Sequence, residues 1–121
     1  MSVDSVEESL RVHADRYLQR VFTPRELEDC ATPAGPPDAR RLAARFAAKE
    51  AAMKVLRLAD EPLPWRTIGV RSGAFGRPRL ELDGAAARLA EDRGVESLDV
   101  SLTHEGPFAA AVVVAQIPEG R

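Results

Sequence analysis

The chain has 121 residues, with 17 basic and 19 acidic side chains and a formal net charge of −2. This balance argues against bulk nucleic-acid binding, and no apolar run approaches the about 18 residues that a membrane span needs. One cysteine and two histidines argue against a zinc cluster, whereas carboxylates suffice for a hard ion such as Mg²⁺. The length predicts a single domain over residues 1–121. Because Cys30 has no partner for an internal disulfide, we expect a cytoplasmic protein.

The N-terminal half predicts three helices. Residues 5–21 form the first, and residues 23–26, which read Thr-Pro-Arg-Glu, are a capping box with proline at the first helical position. That box begins a short helix that we expect to end at about Cys30. Residues 31–37 contain three prolines and one glycine, which indicates a loop. Asp38 then caps a long helix that we expect to end near Leu58.

The C-terminal half predicts two pairs of strands around a fourth helix. Strands at 67–72 and 79–83 flank a turn, and an alanine-rich helix at 84–93 is closed by a glycine. Strands at 97–103 and 108–117 follow, joined through residues 104–107. The last strand is apolar at nearly every position, so we expect it to lie centrally or at a subunit contact. The pattern predicts an α+β domain in which an antiparallel sheet of three or more strands packs on the long helix.

The long helix carries charge on its own apolar face. At about 100° per residue, Lys49 projects within that face, and Glu50 and Lys54 lie one turn apart on its flank. Such charges are costly beside a buried stripe unless they pair with each other, another segment, a metal or a phosphate. The simplest alternative is an ordinary Glu50–Lys54 surface pair, with Lys49 extended to solvent. The apolar side chains that share the face are Leu42, Phe46, Met53 and Leu56.

Two stretches in this chain stand about 50 residues apart: RFAAKEAAMK at 45–54 and VSLTHEGPFAAAVVVA at 100–115. Together they resemble the holo-acyl-carrier-protein synthase family, and Val3-Asp4, the segment 20–26 and Gly76-Arg77-Pro78 follow that family's order. The similarity covers nearly the whole chain. It implies a 4′-phosphopantetheinyl transferase-like fold. It also implies transfer of the phosphopantetheine arm of coenzyme A to a serine of an apo acyl carrier protein, with release of 3′,5′-ADP.

The resemblance also implies a role for each matching residue. Asp4 and Glu50 match the family's two metal carboxylates, for Mg²⁺ or alternatively Mn²⁺, and Glu50 would also sit near the incoming hydroxyl. Lys54 matches the catalytic cation that neutralises the pyrophosphate. The residues implied in coenzyme A contacts are Arg45, Lys49, Lys54, Gly76, Arg77, Pro78 and His104. From the residues alone, Asp4 could equally be a helix N-cap and His104 a plain hairpin residue.

A local basic surface precedes the capping box. Between residues 11 and 25, four arginines stand against one acid, which indicates either a solvated face or a docking surface for the acidic helix of a carrier protein. These arginines are Arg11, Arg16, Arg20 and Arg25.

Family members of this length form homotrimers with active sites at the subunit contacts, which we therefore expect here. Two departures from the family favour a second hypothesis, a relative that binds carrier proteins or nucleotides without useful catalysis. Only three residues precede Asp4, and residues 56–62 stand where many members have a glycine-rich stretch.

Overall fold

The described part of the chain contains four helices and two β-hairpins, as the sequence predicts. The computed structural model describes residues 1–33, 35, 37–56, 63–73 and 76–118, with the backbone alone at 10, 13–15 and 17. The helices are α1 (Val3–Val21), α2 (Pro24–Asp29), α3 (Ala39–Leu56) and α4 (Gly84–Asp92). The strands are β1 (Ile68–Ser72), β2 (Pro78–Leu82), β3 (Ser97–Glu105) and β4 (Phe108–Gln116), and a 3₁₀ turn at Trp65–Thr67 precedes β1. Within these ranges, no helix is both long and apolar enough to cross a membrane.

Side-chain caps begin α2 and α3 where the sequence predicts them. The Thr23 hydroxyl accepts a hydrogen bond from the Glu26 amide at 3.1 Å, and the Glu26 carboxylate accepts one from the Thr23 amide at 2.9 Å. Asp38 accepts one from the Arg40 amide at 3.0 Å at the start of α3. Such caps satisfy amides that the first turn leaves without an intrahelical partner. The expected end of α3 near Leu58 lies outside the described residues.

The first residues of the chain pair with the start of β4 through an isolated bridge. The Met1 ammonium donates to the Ala109 carbonyl at 2.7 Å, and the Ala109 amide donates to the Met1 carbonyl at 2.8 Å. Ser2 then caps α1 by accepting from the amide three residues on. Helix α1 therefore begins two residues before the predicted start, with Asp4 in its first turn. The alternative that Asp4 is the N-cap is wrong, because Ser2 occupies that position.

The strands form two separate antiparallel hairpins. Strand β1 pairs with β2 in a register that sets Val70 opposite Leu80, and β3 pairs with β4 along their full lengths. The predicted sheet of three or more strands is wrong for the described residues, where each sheet has two strands. The side chains of Leu80, Leu82 and Leu98 meet around a cavity of about 190 Å³ between β2 and β3. Side-chain packing therefore takes the place of a backbone ladder between the hairpins.

Helix α3 links the two hydrophobic clusters of the domain. Near its start, Leu42 packs with Val6 and Phe22, and near its end Leu56 packs with Ile68. Full burial of a leucine side chain contributes about 1.5–3 kcal/mol, so the predicted apolar face of α3 is confirmed as the main packing surface. That face places the charged flank of α3 beside the core.

Candidate active site

Two acidic side chains of α2 hold the edge of β1 that faces away from β2. We call Glu26 and Asp29 the α2 carboxylate pair. Glu26 Oε2 accepts a hydrogen bond from the Val70 amide at 3.0 Å, and Asp29 Oδ2 accepts one from the Ser72 amide at 3.2 Å. Alternate amides of a strand point to the same edge, and an unpaired edge is open to other chains. The α2 carboxylate pair therefore replaces the missing neighbouring strand at two positions.

The Lys49 side chain is buried against that edge. Its ammonium donates to Glu26 Oε1 at 2.5 Å and to the Ile68 carbonyl at 2.5 Å, and it lies 5.6 Å from the centre of the Phe22 ring. The side chains of both Lys49 and Glu26 have zero exposure. Burial lowers the pKa of Lys49, and the Glu26 carboxylate opposes that shift. The alternative in which Lys49 extends to solvent is wrong, and its charge pairs with another segment of the chain.

Arg45 makes a similar contact one turn earlier on α3. Its Nη2 donates to Ser72 Oγ at 3.0 Å and lies 4.0 Å from Asp29 Oδ2. Asp29 also lies 3.5 Å from Arg71 Nε, so two guanidinium groups share its carboxylate. Arg45 Nε is buried and has no hydrogen-bond partner among the described residues. An unpaired buried N–H is costly, so this nitrogen is a buried polar group that the described residues leave uncompensated.

Asp4, Glu50 and Lys54 are not neutralised within the described parts of the chain, since none of the three forms an ion pair there. Asp4 and Lys54 are exposed, and Glu50 is half-buried on α3. The alternative of a Glu50–Lys54 surface pair is therefore wrong for this structure. Glu50 and Lys54 remain on the same flank of α3, one turn apart, as the sequence predicts.

The two free carboxylates fit a hard divalent ion in the type and number of their oxygen ligands. The described residues hold no cluster of three or more acidic, histidine or cysteine side chains that could cage an ion alone. Mg²⁺ is usually held by one or two carboxylates, with substrate phosphates and waters completing its shell. Asp4 and Glu50 therefore suit an ion that is shared with a phosphate-bearing substrate, and their metal role stays a prediction.

His104 lies against the first turn of α3. Its Nε2 is 3.0 Å from the Arg40 carbonyl, and because a carbonyl only accepts, this nitrogen carries the proton. The residue belongs to β3, so the turn before β4 is residues 106–107 alone and is shorter than predicted. Arg45 also reaches a carbonyl of that first turn, at 3.5 Å. The fold thus brings two of the predicted nucleotide contacts to the same end of α3.

The Gly76-Arg77-Pro78 motif forms the end of the β1–β2 turn. Gly76 has a φ of 75°, a left-handed conformation that glycine adopts without strain. The Gly73 amide donates to the Arg77 carbonyl at 2.6 Å, and the Arg77 side chain is exposed. This exposed turn is available to a ligand, and its contact with the adenine stays a prediction.

The four arginines of the predicted basic surface are all exposed, three on α1 and one at the start of α2. At about 100° per residue, Arg16 and Arg20 share one side of α1 and Arg11 lies on another, so their role as one surface stays a prediction. Arg25 lies 3.7 Å from Glu81 of β2. We call this surface the basic face, and it consists of Arg11, Arg16, Arg20 and Arg25.

Comparison with known proteins identifies the class to which this fold and these residues belong. The chain belongs to the 4′-phosphopantetheinyl transferase superfamily, whose family model matches residues 1–113. This confirms the resemblance found in the sequence.

Among individual proteins, the relatives are holo-[acyl-carrier-protein] synthases. The chain is 40% identical to that of Geobacter sulfurreducens over 104 residues, which cover 85% of this chain and 81% of the relative. It is 40% identical to that of Moorella thermoacetica over 116 residues, covering 96% and 88%. The holo-[acyl-carrier-protein] synthase of Helicobacter pylori, solved in complex with coenzyme A, superposes with a TM-score of 0.82 at 25% identity, covering 96% of this chain and 95% of that one. These matches confirm the predicted fold.

Sequence reasoning missed the partners of the α3 cations. Glu26 is visible in the sequence as a capping-box residue, but nothing local indicates that its carboxylate also receives Lys49. Asp29 stands three residues later, on the same face of α2, and it meets Arg45 and Ser72. The signal that could have found both is the i, i+3 spacing of two acids set against an i, i+4 pair of cations on α3.

Proposed function

We propose that this protein is a holo-acyl-carrier-protein synthase that transfers the phosphopantetheine arm of coenzyme A to a serine of an apo carrier protein. The observation that supports it best is that Glu50 and Lys54, which match the family's reactive positions, stand beside the core with no ion pair among the described residues. Of the buried cations of α3, Lys49 is committed to Glu26 and the Ile68 carbonyl. Glu50 and Lys54 are therefore among the charges of α3 that remain for the transfer.

The reaction makes one phosphorus–oxygen bond and breaks another. The serine oxygen attacks the phosphorus that carries the pantetheine, the bond to the second phosphate breaks, and 3′,5′-ADP leaves with the electron pair. Glu50 accepts the serine proton, directly or through a water. Lys54 balances the charge that gathers on the leaving phosphate. Asp4 and Glu50 would hold Mg²⁺ or Mn²⁺, which supplies charge neutralisation at the pyrophosphate when bound.

Contacts to the nucleotide come from the start of α3 and from the β1–β2 turn. Arg45 and His104 each contact a carbonyl of the first turn of α3 and bind the 3′-phosphate side, and the exposed turn at 76–78 lies against the adenine. Guanidinium groups suit phosphate because their N–H donors form paired hydrogen bonds. Lys49 is not among the contacts we propose, since its ammonium is buried and bound to Glu26.

The basic face receives the carrier protein. Its exposed arginines match an acidic helix in charge, which raises the rate of encounter more than it tightens the complex.

The protein assembles as a homotrimer with its active sites at the subunit contacts. Successive side chains of β4 alternate between the core and solvent, and three large apolar ones are exposed: Phe108 at 59%, Val112 at 63% and Val114 at 58%. An exposed apolar strip of this kind marks a surface that another chain covers. Sedimentation should give a trimer that Val112→Asp dissociates, and a wild-type monomer at micromolar concentration would contradict this assembly.

The transfer itself is tested by following an apo acyl carrier protein under single-turnover conditions with coenzyme A and Mg²⁺. Glu50→Gln should abolish transfer and leave the fold intact, because the amide neither binds the ion well nor accepts the proton. Glu91→Gln, the same change at an exposed position of α4, is the matched control and should transfer at the wild-type rate. Coenzyme A binding without transfer in the wild type would favour the alternative of a catalytically weak binding module.

A further inference from the structure

Two of the most deeply buried charges among the described residues take no part in the transfer chemistry above. The Glu26 and Lys49 side chains have zero exposure and meet at 2.5 Å. A buried ion pair is a weak source of stability, because the cost of removing both charges from water offsets their attraction. Stability alone therefore does not explain why this pair lies inside the domain.

We propose that the Glu26–Lys49 pair positions Glu50, so that Glu26 and Lys49 are positioning residues for the metal-binding carboxylate; this rests on the proposed function. Lys49 directly precedes Glu50 in α3. Each residue advances the helix by about 100° and 1.5 Å, so fixing Lys49 fixes the direction in which Glu50 projects. The bonds from Lys49 to Glu26 and to the Ile68 carbonyl do this from two sides.

The apolar packing on this part of α3 comes mostly from small side chains. Ala48 and Ala52 have zero exposure, Ala44 lies one turn earlier, and Met53, at 6% exposure, is the one large buried apolar side chain within three residues of Glu50. A methyl group allows close approach but interlocks little with a facing surface, whereas larger side chains fit into grooves. Hydrogen bonds depend on both distance and angle, and those between charged groups are the strongest. The pair thus supplies the directional constraint that the small side chains lack.

A second polar contact holds the same helix one turn earlier. Arg45 binds Ser72 at the end of β1, whereas Lys49 binds Ile68 at its beginning. The α2 carboxylate pair completes both contacts, with Glu26 on Lys49 and Asp29 4.0 Å from Arg45. Helix α3 is therefore fixed to β1 through Arg45 and through Lys49, and Glu50 directly follows Lys49.

The test measures the gain in coenzyme A affinity that Mg²⁺ gives, by calorimetry with Mg²⁺ and with EDTA, alongside kcat and KM. The variants are Glu26→Gln, Lys49→Met and the two combined. Outer-shell partners of a metal ligand typically change metal affinity or activity about 10- to 100-fold when replaced, so we expect the Mg²⁺-dependent gain and kcat to fall by about that factor. Affinity in EDTA should stay at the wild-type value, because it depends on Arg45 and His104.

The control is Ala90→Gly, which weakens a buried position of α4 without touching the pair and should keep both the wild-type gain and kcat. Circular dichroism identifies the folded variants, and the double variant, which leaves no buried charge at this site, carries the test if the single variants do not fold. Folded variants that keep the wild-type kcat and the wild-type Mg²⁺-dependent gain in coenzyme A affinity would overturn the proposal. So would an Ala90→Gly variant that loses as much of both as the pair variants do. A wild type without Mg²⁺-dependent transfer would instead show that the proposed function itself fails.

Discussion

Replacing Lys49 with methionine should be among the most destabilising single changes in the described part of the chain. Methionine keeps much of the length of the side chain but removes the ammonium that binds Glu26 Oε1 and the Ile68 carbonyl. The Glu26 carboxylate would remain buried, and its partners among the described residues would be the amides of Thr23 and Val70. The free energy of unfolding should fall because the substitution leaves a buried charge without its counter-charge.

The expected loss follows from that burial. Breaking a fully buried pair by removing one partner costs about 3–5 kcal/mol, against a total of about 5–15 kcal/mol for a typical domain. At roughly 4 °C per kcal/mol for a chain of this size, Tm should fall by about 12–20 °C. Glu26→Gln leaves the Lys49 ammonium buried without its anion and should cost a similar amount. The double variant buries no charge at this site, so it should lose at least about 2 kcal/mol less than the sum of the singles.

Urea unfolding measures these values, with fluorescence from the single tryptophan as the signal. Trp65 is a suitable reporter, since it stacks on Phe46 of α3 at 5.0 Å. Lys54→Met is the matched control: it makes the same change on the same helix at an exposed position and should stay within about 0.5 kcal/mol of the wild type. All variants are compared at one protein concentration, because assembly adds to apparent stability. Single-variant losses that simply add, within about 0.5 kcal/mol, would refute the reasoning.

Four further outcomes are expected. Thr23→Ala removes the hydroxyl of the capping box and should lower the free energy of unfolding by about 1 kcal/mol; unchanged urea midpoints would contradict the role of the cap. Burial raises the pKa of the Cys30 thiol to about 11, so alkylation of the native protein at pH 8 should be very slow and should become fast on unfolding. Because the unfolded thiol loses its proton first, stability should decline as pH rises from about 9 towards 11, and Cys30→Ala should remove that component of the decline. Charge reversal at Arg16 and Arg20 should raise the KM for carrier protein about tenfold at low salt with little change in kcat; wild-type kinetics would leave the basic face as a solvated surface.

Local signals in the sequence predicted most of the helices and strands. The capping box and the Asp38 cap form as predicted because each joins residues within one turn, so no other part of the fold can alter them greatly. The start of α1 was mistaken because Ser2 and Asp4 are both good capping residues. Only the pairing of the first residues with Ala109 decides which of them precedes the helix.

The partner of Lys49 could not be predicted by the same means. Its position on the buried face of α3 follows from helical periodicity, and the structure confirms it. Its partner lies 23 residues earlier on another helix, and that contact exists only once α2, α3 and β1 have packed. The number of strands in each sheet was mistaken for a related reason, because strand pairing between hairpins depends on how side chains such as Leu82 and Leu98 meet across the space between them.

The reactive residues depend on the family resemblance more than on their spacing. Nothing in the periodicity of α3 distinguishes a metal-binding Glu50 from an ordinary helical glutamate, and the spacing alone favoured a surface pair with Lys54. The structure removes that pair, since both side chains lack ion-pair partners among the described residues. Both charges therefore stay unpaired among the described residues, and their roles toward the coenzyme A pyrophosphate and a metal ion remain predictions.

The most direct test of the proposed activity is the intact mass of an apo acyl carrier protein after incubation with this protein, coenzyme A and Mg²⁺, with an EDTA control. We expect the carrier protein to gain the mass of one phosphopantetheine arm with Mg²⁺ and to remain unchanged with EDTA. An unchanged mass across several fatty-acid and polyketide carrier proteins, while calorimetry still shows coenzyme A binding, would contradict the transferase activity.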